Sequence, residues 1–143
     1  MRSDAQMDMA GLIPHRGAMC LLDTVLSWNE QEIVCTATSH RRSTNPLRDG
    51  AGLRGSCAIE YGAQAIAAHA GLVDATGGSR PEAGLLVSVR DVIVSVARLD
   101  EMDAMLIVRA RVVLKQGRGQ VYEITVTAGG ETILTGRISI MTP

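Results

Sequence analysis

Phenylalanine is absent from this chain of 143 residues, tryptophan occurs once and tyrosine twice. So few aromatic rings leave no platform on which nucleobases could stack. Charge of either sign is not in excess: the formal net charge is −1, which gives no support for general nucleic-acid affinity. Cysteine is scarce as well. Cys20, Cys35 and Cys57 form no CxxC pair and no disulfide-like framework, so they read as reduced, cytosolic thiols that pack as small hydrophobes. Residues 1–11 hold no apolar h-region, which argues against a secretory signal and for a cytoplasmic protein. No GxGxxG follows a strand pattern, no Walker loop is present and no ligand spacing suits zinc. Neither a nicotinamide nor a metal is therefore expected.

What is present is a chain of one-domain length, residues 1–143, with enough apolar content (46%, against 20% charged) to be globular. Its core must be built from Leu, Ile, Val, Ala and Met. Residues 55–71, GSCAIEYGAQAIAAHAG, stand apart from the rest. They predict a helix that is small and apolar all round, hence buried, with Ser56 as N-cap and Gly71 at its stop. Glu60, Gln64 and His69 make the segment too polar for a bilayer span.

Strand signals surround this helix. Residues 19–28 are apolar enough for a strand, and residues 32–38 alternate. Residues 39–54 form a polar loop containing Arg41, Arg42, Arg48 and Arg54. After the helix, residues 85–97 are valine-rich, with Arg90 and Asp91 suggesting a bulge. Residues 105–114 put Leu106, Val108, Ala110, Val112 and Leu114 on one face. Residues 121–128 and 132–141 alternate in the same way, joined by Gly129-Gly130, a pair suited to a type I′ turn. Two strands, one helix and four strands on short turns predict an α+β domain, an antiparallel sheet of five to six strands wrapped around one helix.

Glu60 is the candidate for chemistry. One turn into a buried helix, it feels a dipole that favours the carboxylate and a desolvation that favours the acid, a balance suited to general acid–base work. Gln64, four residues on, is placed to orient it. A carboxylate that only closes a cap is the structural alternative. Cys57 near the helix start could have a lowered thiol pKa, although no histidine neighbours it in sequence.

Leu12-Ile13-Pro14-His15-Arg16, with Met19, Leu21-Leu22-Asp23 and Val25, resembles the opening box of the hot-dog fold 3-hydroxyacyl-[acyl-carrier-protein] dehydratases. Gly55 with Ile59-Glu60 and Ala63-Gln64 resembles their helix box. Asn45-Pro46-Leu47 and the AQAIAAHAGL ending are most similar to the branch associated with aryl-polyene pigment synthesis. The resemblance spans essentially the whole chain. It implies dehydration of a 3-hydroxyacyl thioester borne on the phosphopantetheine of an acyl carrier protein, with no further cofactor. The setting would be fatty-acid-like or aryl-polyene biosynthesis, and the form a homodimer or a heterodimer with a paralogue. It departs in one place: Pro46 stands where the housekeeping enzymes carry their catalytic histidine.

Among the three histidines, His69 lies nine residues past Glu60, half a turn out of phase, and should face away. His40, beside Arg41 and Arg42, reads as a surface residue. His15 sits in the intact opening box and is the expected base. Glu60 is the expected acid, and the Gly55 backbone N–H the donor to the thioester carbonyl. The four loop arginines are candidates for docking an acidic carrier protein. Two alternatives accompany this reading: a thioesterase in which Glu60 or Asp49 activates water, and a non-catalytic acyl-binding or partner subunit.

Overall fold

The computed structural model describes residues 7–8, 17–76 and 85–141. Its strands are β1 (Met7–Asp8), β2 (Thr24–Trp28), β3 (Glu32–Ala37), β4 (Leu85–Val94), β5 (Leu106–Gln116), β6 (Gly119–Ala128) and β7 (Glu131–Met141). Among the described residues the one long helix, α1 (Ala58–Thr76), follows a 3-10 turn at Gly55–Cys57. All strand pairs are antiparallel and the order across the sheet is β1-β2-β3-β5-β6-β7-β4. Setting aside the two-residue β1, six strands and one central helix form the α+β hot-dog arrangement expected above.

The core lies between α1 and the concave face of the sheet. Tyr61, Ala65, Ile66, Ala68 and Leu72 of the helix meet Val108, Ala110, Tyr122, Ile124, Val126, Leu134 and Ile138 of the strands. The helix can approach this closely because it is small-sided: a Cβ at Gly62 would stand 2.6 Å from Ile124 Cδ1. The Gly129-Gly130 turn has the positive φ values that the pair requires, 57° and 81°. The bulge anticipated at Arg90-Asp91 is present. The register slips between Arg90 and Ile93, and Asp91 takes φ 56°.

Several expectations need correction. The strand expected over residues 19–28 starts only at Thr24, because Gly17–Met19 form a 3-10 turn and residues 20–23 are not strand. Gly71 does not end the helix; Leu72 buries its side chain in the core and the helix runs on to Thr76. Ser56 is not the N-cap, since the 3-10 turn begins at Gly55 with Arg54 as the flanking residue and no side-chain cap. Leu114 does not join the inward face of β5. A register shift between Val112 and Leu114 turns it outward, where it is 53% exposed.

Candidate active site

Glu60 lies in the first turn of α1 and is half-buried. What fixes its position is the way the preceding loop is fastened. Asp100 accepts from the Leu53 N–H at 3.1 Å and pairs with Arg98 at 2.6 Å and Arg48 at 3.4 Å. Leu99 N donates to the Leu53 carbonyl at 2.7 Å. The Asp100 carboxyl is accordingly held low, at about 2, first by the Arg98 hydrogen bond and then by the Leu53 N–H, against desolvation. Two residues past Leu53, Gly55 N donates to the Ala97 carbonyl at 3.0 Å, and any Cβ at Gly55 would fall on the carbonyl oxygen of Val96. The strand-to-turn segment after β4 thus acts as a strap across the helix start.

A second set of bonds holds residues 39–47 against the same helix. The Ser39 hydroxyl donates to the Leu21 carbonyl at 2.8 Å. It therefore accepts from the Tyr61 hydroxyl at 2.7 Å, which in turn accepts from Asn45 Nδ2 at 3.1 Å. Asn45 also donates to the Ser39 carbonyl and accepts from the Leu47 N–H. Ser39, Asn45 and Tyr61 are all buried, and burial raises the Tyr61 phenol so that it stays a donor.

Against this frame the candidate residues sort clearly. Gln64 is fully buried and uses its amide on the chain leading into β2. Its Oε1 accepts from Leu21 N at 2.9 Å and its Nε2 donates to the Met19 carbonyl at 2.6 Å. It pins that segment to the helix, a different task from the expected orientation of Glu60. The Gly55 N–H, expected to polarise a substrate carbonyl, is already committed to Ala97. The next amide, Ser56 N–H, has no acceptor among the described residues, and Ser56 is exposed.

His40 is not a surface residue: it is fully buried. Its Nε2 carries the proton, because its partner at 2.9 Å is the Met102 carbonyl. Its Nδ1 has no hydrogen-bond partner, and desolvation lowers its pKa. His69 is buried between helix and sheet. Nε2–H donates to the Asn29 carbonyl at 2.7 Å, and Nδ1 accepts from Tyr122 Oη at 2.6 Å. Its pKa is lowered by burial, so it is a neutral structural link, with both ring nitrogens committed to Tyr122 and Asn29. His15 lies outside the described residues. Cys57, far from being activated, has its thiol pushed up by burial, and Cys35 is raised to about 12 for the same reason.

The loop arginines are also engaged. Arg41 pairs with Asp103 at 3.3 Å, Arg42 with Asp23 at 3.8 Å, Arg48 with Asp100 and Arg54 with Asp49 at 3.0 Å. Asp49 accepts from the Ala51 N–H as well. Its carboxyl is held low first by that bond and then by Arg54, a loop-closing role. Among the described residues no cluster of His, Cys, Asp and Glu could hold a metal ion, and no helix is long and apolar enough to cross a membrane.

The start of α1 thus presents a half-buried carboxylate on a tied-down helix end inside a curled sheet. The ApeP-like family, described as ApeP dehydratase, matches residues 7–143. This chain belongs to that family. No curated protein matches it. Among solved structures it is similar to the dehydratase heterocomplex ApeI:P from Xenorhabdus doucetiae, with 24% identity, 96% of this chain and 91% of that chain covered, and TM-score 0.84. It is also similar to AziG of S. sahachiroi (15% identity, 85% and 90% covered, TM-score 0.64). A third likeness is to PaaI of E. coli, from the phenylacetic acid degradation operon (17%, 82% and 80%, TM-score 0.60). At these identities the solved structures establish the hot-dog fold, and the dehydratase assignment of this ApeP-like chain comes from the family match.

Proposed function

We propose that this ApeP-like chain dehydrates a 3-hydroxyacyl thioester carried on the phosphopantetheine of an acyl carrier protein, in fatty-acid-like or aryl-polyene biosynthesis. The observation that carries the reading is Glu60, a half-buried carboxyl in the first turn of α1, on a helix start braced by Asp100, Gly55 and the Ser39–Tyr61–Asn45 bonds. Removing water requires that a base take the C2 proton while an acid gives a proton to the C3 hydroxyl, which leaves as water. Glu60 is the acid. The thioester carbonyl, which gains negative charge as C2 loses its proton, is met by the Ser56 N–H at the positive end of the helix.

The base is the open position. His69 is bonded at both ring nitrogens, and His40 is buried with its N–H on Met102, which leaves His15 as our assignment. The solved ApeI:P assembly is a heterocomplex, and this chain has Pro46 where the family resemblance expects a histidine. Both facts favour a second reading, in which the chain supplies Glu60 and a paralogous subunit supplies the base. Either form of dimer has an edge to use. Among the described residues β4 ends the sheet, pairing only with β7, and exposes Leu86, Val87 and Ile93.

The deciding experiment is Glu60→Gln and His15→Ala, assayed alone and with a co-expressed paralogue, on a 3-hydroxyacyl thioester. Glu60→Gln should lower turnover by about 10²- to 10⁴-fold with the fold intact. Loss on His15→Ala in the isolated chain supports the homomeric enzyme. Activity only with the paralogue, indifferent to His15, supports the heteromeric one. Wild-type rates in Glu60→Gln would refute the mechanism, and free acid plus thiol as products would make the chain a thioesterase.

A further inference from the structure

The two sets of bonds that hold the start of α1 meet at one buried histidine. The loop of residues 39–47 reaches the helix through Ser39 and Asn45, which bond Tyr61, the residue after Glu60. The strap reaches it through Leu53 and Gly55, bonded to Leu99 and Ala97. His40, next in the chain to Ser39, joins loop to strap. It is 0% exposed, and its Nε2–H donates to the Met102 carbonyl at 2.9 Å. Arg41 adds the Asp103 carbonyl at 3.0 Å and its carboxylate at 3.3 Å, but on the exposed side, where solvent weakens both.

The other ring nitrogen sets this residue apart. Nδ1 is buried and has no hydrogen-bond partner among the described residues. A neutral imidazole tolerates this, because its unprotonated nitrogen is only an unused acceptor. A proton at Nδ1 would make a charged, buried donor with nothing to receive it, so the ring would have to move out to water. Charged neighbours do not compensate. Arg41 disfavours the cation; Asp23 favours it, but is bonded to Thr38 at 2.7 Å and paired with Arg42 at 3.8 Å. On the strap, Asp103 is paired with Arg41, and Asp100 and Glu101 with Arg98. Desolvation outweighs the help of Asp23 and of the backbone of Met102 and Ala104, and the ring's pKa is lowered.

We propose that His40 is a proton-operated latch on the start of α1. Neutral, it fastens the loop to the strap and keeps Glu60 in place. Protonated, it lets go of Met102, the helix start loosens, and dehydration stops reversibly in mild acid. A released His40 is solvated and takes up its proton near its ordinary value, about pH 6.5. Each pH unit below that raises the ratio of released to fastened chains by up to about tenfold, until the buried ring itself titrates. The loss of turnover rests on the role proposed for Glu60 above, whereas the release itself does not.

The test follows amide hydrogen exchange in the full chain, corrected for intrinsic rates, together with turnover of a 3-hydroxyacyl thioester. Between about pH 6.5 and 5.5, peptides covering residues 39–48 and 97–104 should lose protection by up to about tenfold, while β7 keeps its own. Turnover should fall over the same range and return on neutralisation. In His40→Gln the side-chain amide can keep the Met102 bond but takes up no proton. Its protection and turnover should therefore fall less than those of the wild type over that pH unit, by up to about tenfold. Nitrogen-15 shifts of the wild-type imidazoles, which need no variant, should show His40 as the neutral Nε2–H tautomer at about pH 6.5. A His40 that titrates at or above that pH would overturn the latch. Parallel acid losses in wild type and His40→Gln, with exchange unchanged, would do the same and assign the pH dependence to a group at the reaction itself. If the wild type turns over no thioester, the dehydratase reading falls and exchange alone decides: protection of residues 39–48 that is constant with pH refutes the latch.

Discussion

Tyr61→Phe removes one oxygen atom from the bonds that hold the loop of residues 39–47 to the helix. The ring remains and so does the packing, so the loss is confined to hydrogen bonds. Ser39 Oγ loses the donor at 2.7 Å, and Asn45 Nδ2 loses one of its two acceptors while keeping the Ser39 carbonyl at 3.0 Å. Two buried hydrogen bonds at about 0.5–1.5 kcal/mol each give a destabilisation of about 1–3 kcal/mol. For a chain of this size that is a fall in Tm of roughly 4–10 °C. Urea unfolding should show a lower midpoint with an unchanged m-value, since no extra surface is exposed. A double-mutant cycle adds the sharper check. In Ser39→Ala the Tyr61 hydroxyl has already lost its acceptor, so the two substitutions should be non-additive by at least about 0.5 kcal/mol. Additivity, together with a Tm within a degree of wild type for Tyr61→Phe, would show that the network does not hold the loop.

Other outcomes follow from the same geometry. Because burial lowers the His69 pKa, the unfolded chain takes up a proton near pH 6.5 that the folded chain resists. Its contribution to stability is complete above about pH 6.5 and is lost as pH falls below it, at a slope of at most about 1.4 kcal/mol per pH unit, so denaturant melts of His69→Gln should show a shallower loss between pH 6.5 and 5. Asp100, held at about 2, contributes stability above its ordinary carboxylate range, and this is lost as pH falls towards 2. Asp100→Asn should already be destabilised at neutral pH and lose less on acidification. Gly55→Ala should reduce both stability and turnover, because its methyl group meets the Val96 carbonyl and forces the helix start away from the strap. An unaltered Tm and rate would mean that the strap is slack.

The sequence alone determined the elements and their pairing sense, because both follow from short-range physics. Alternation, an all-apolar alanine-rich run and a Gly-Gly turn each act within a few residues, and they place α1, the antiparallel strands and the Arg90-Asp91 bulge. Glu60 was legible for the same reason: a carboxylate in an otherwise apolar helix stands out without any knowledge of its neighbours. Tertiary structure decided the partners. Gln64 reaches Leu21 across 43 positions, and His40 reaches Met102 across 62. No local pattern encodes such contacts, and so His40 reads as a surface residue beside two arginines until the segment after β4 folds over it. The Gly55 N–H is likewise free in the sequence and taken in the fold, because Ala97 lies beside it only once β4 is in the sheet. The convex face was the least legible part. A one-residue slip at Val112–Leu114 moves a leucine from core to surface, and the row of Glu32, Arg111, Glu123, Arg137 and Arg90, each opposite the next, exists only in the register of five strands. Register is fixed by side-chain packing summed over the whole sheet, which is why charge neighbours on that face belong to the tertiary structure alone.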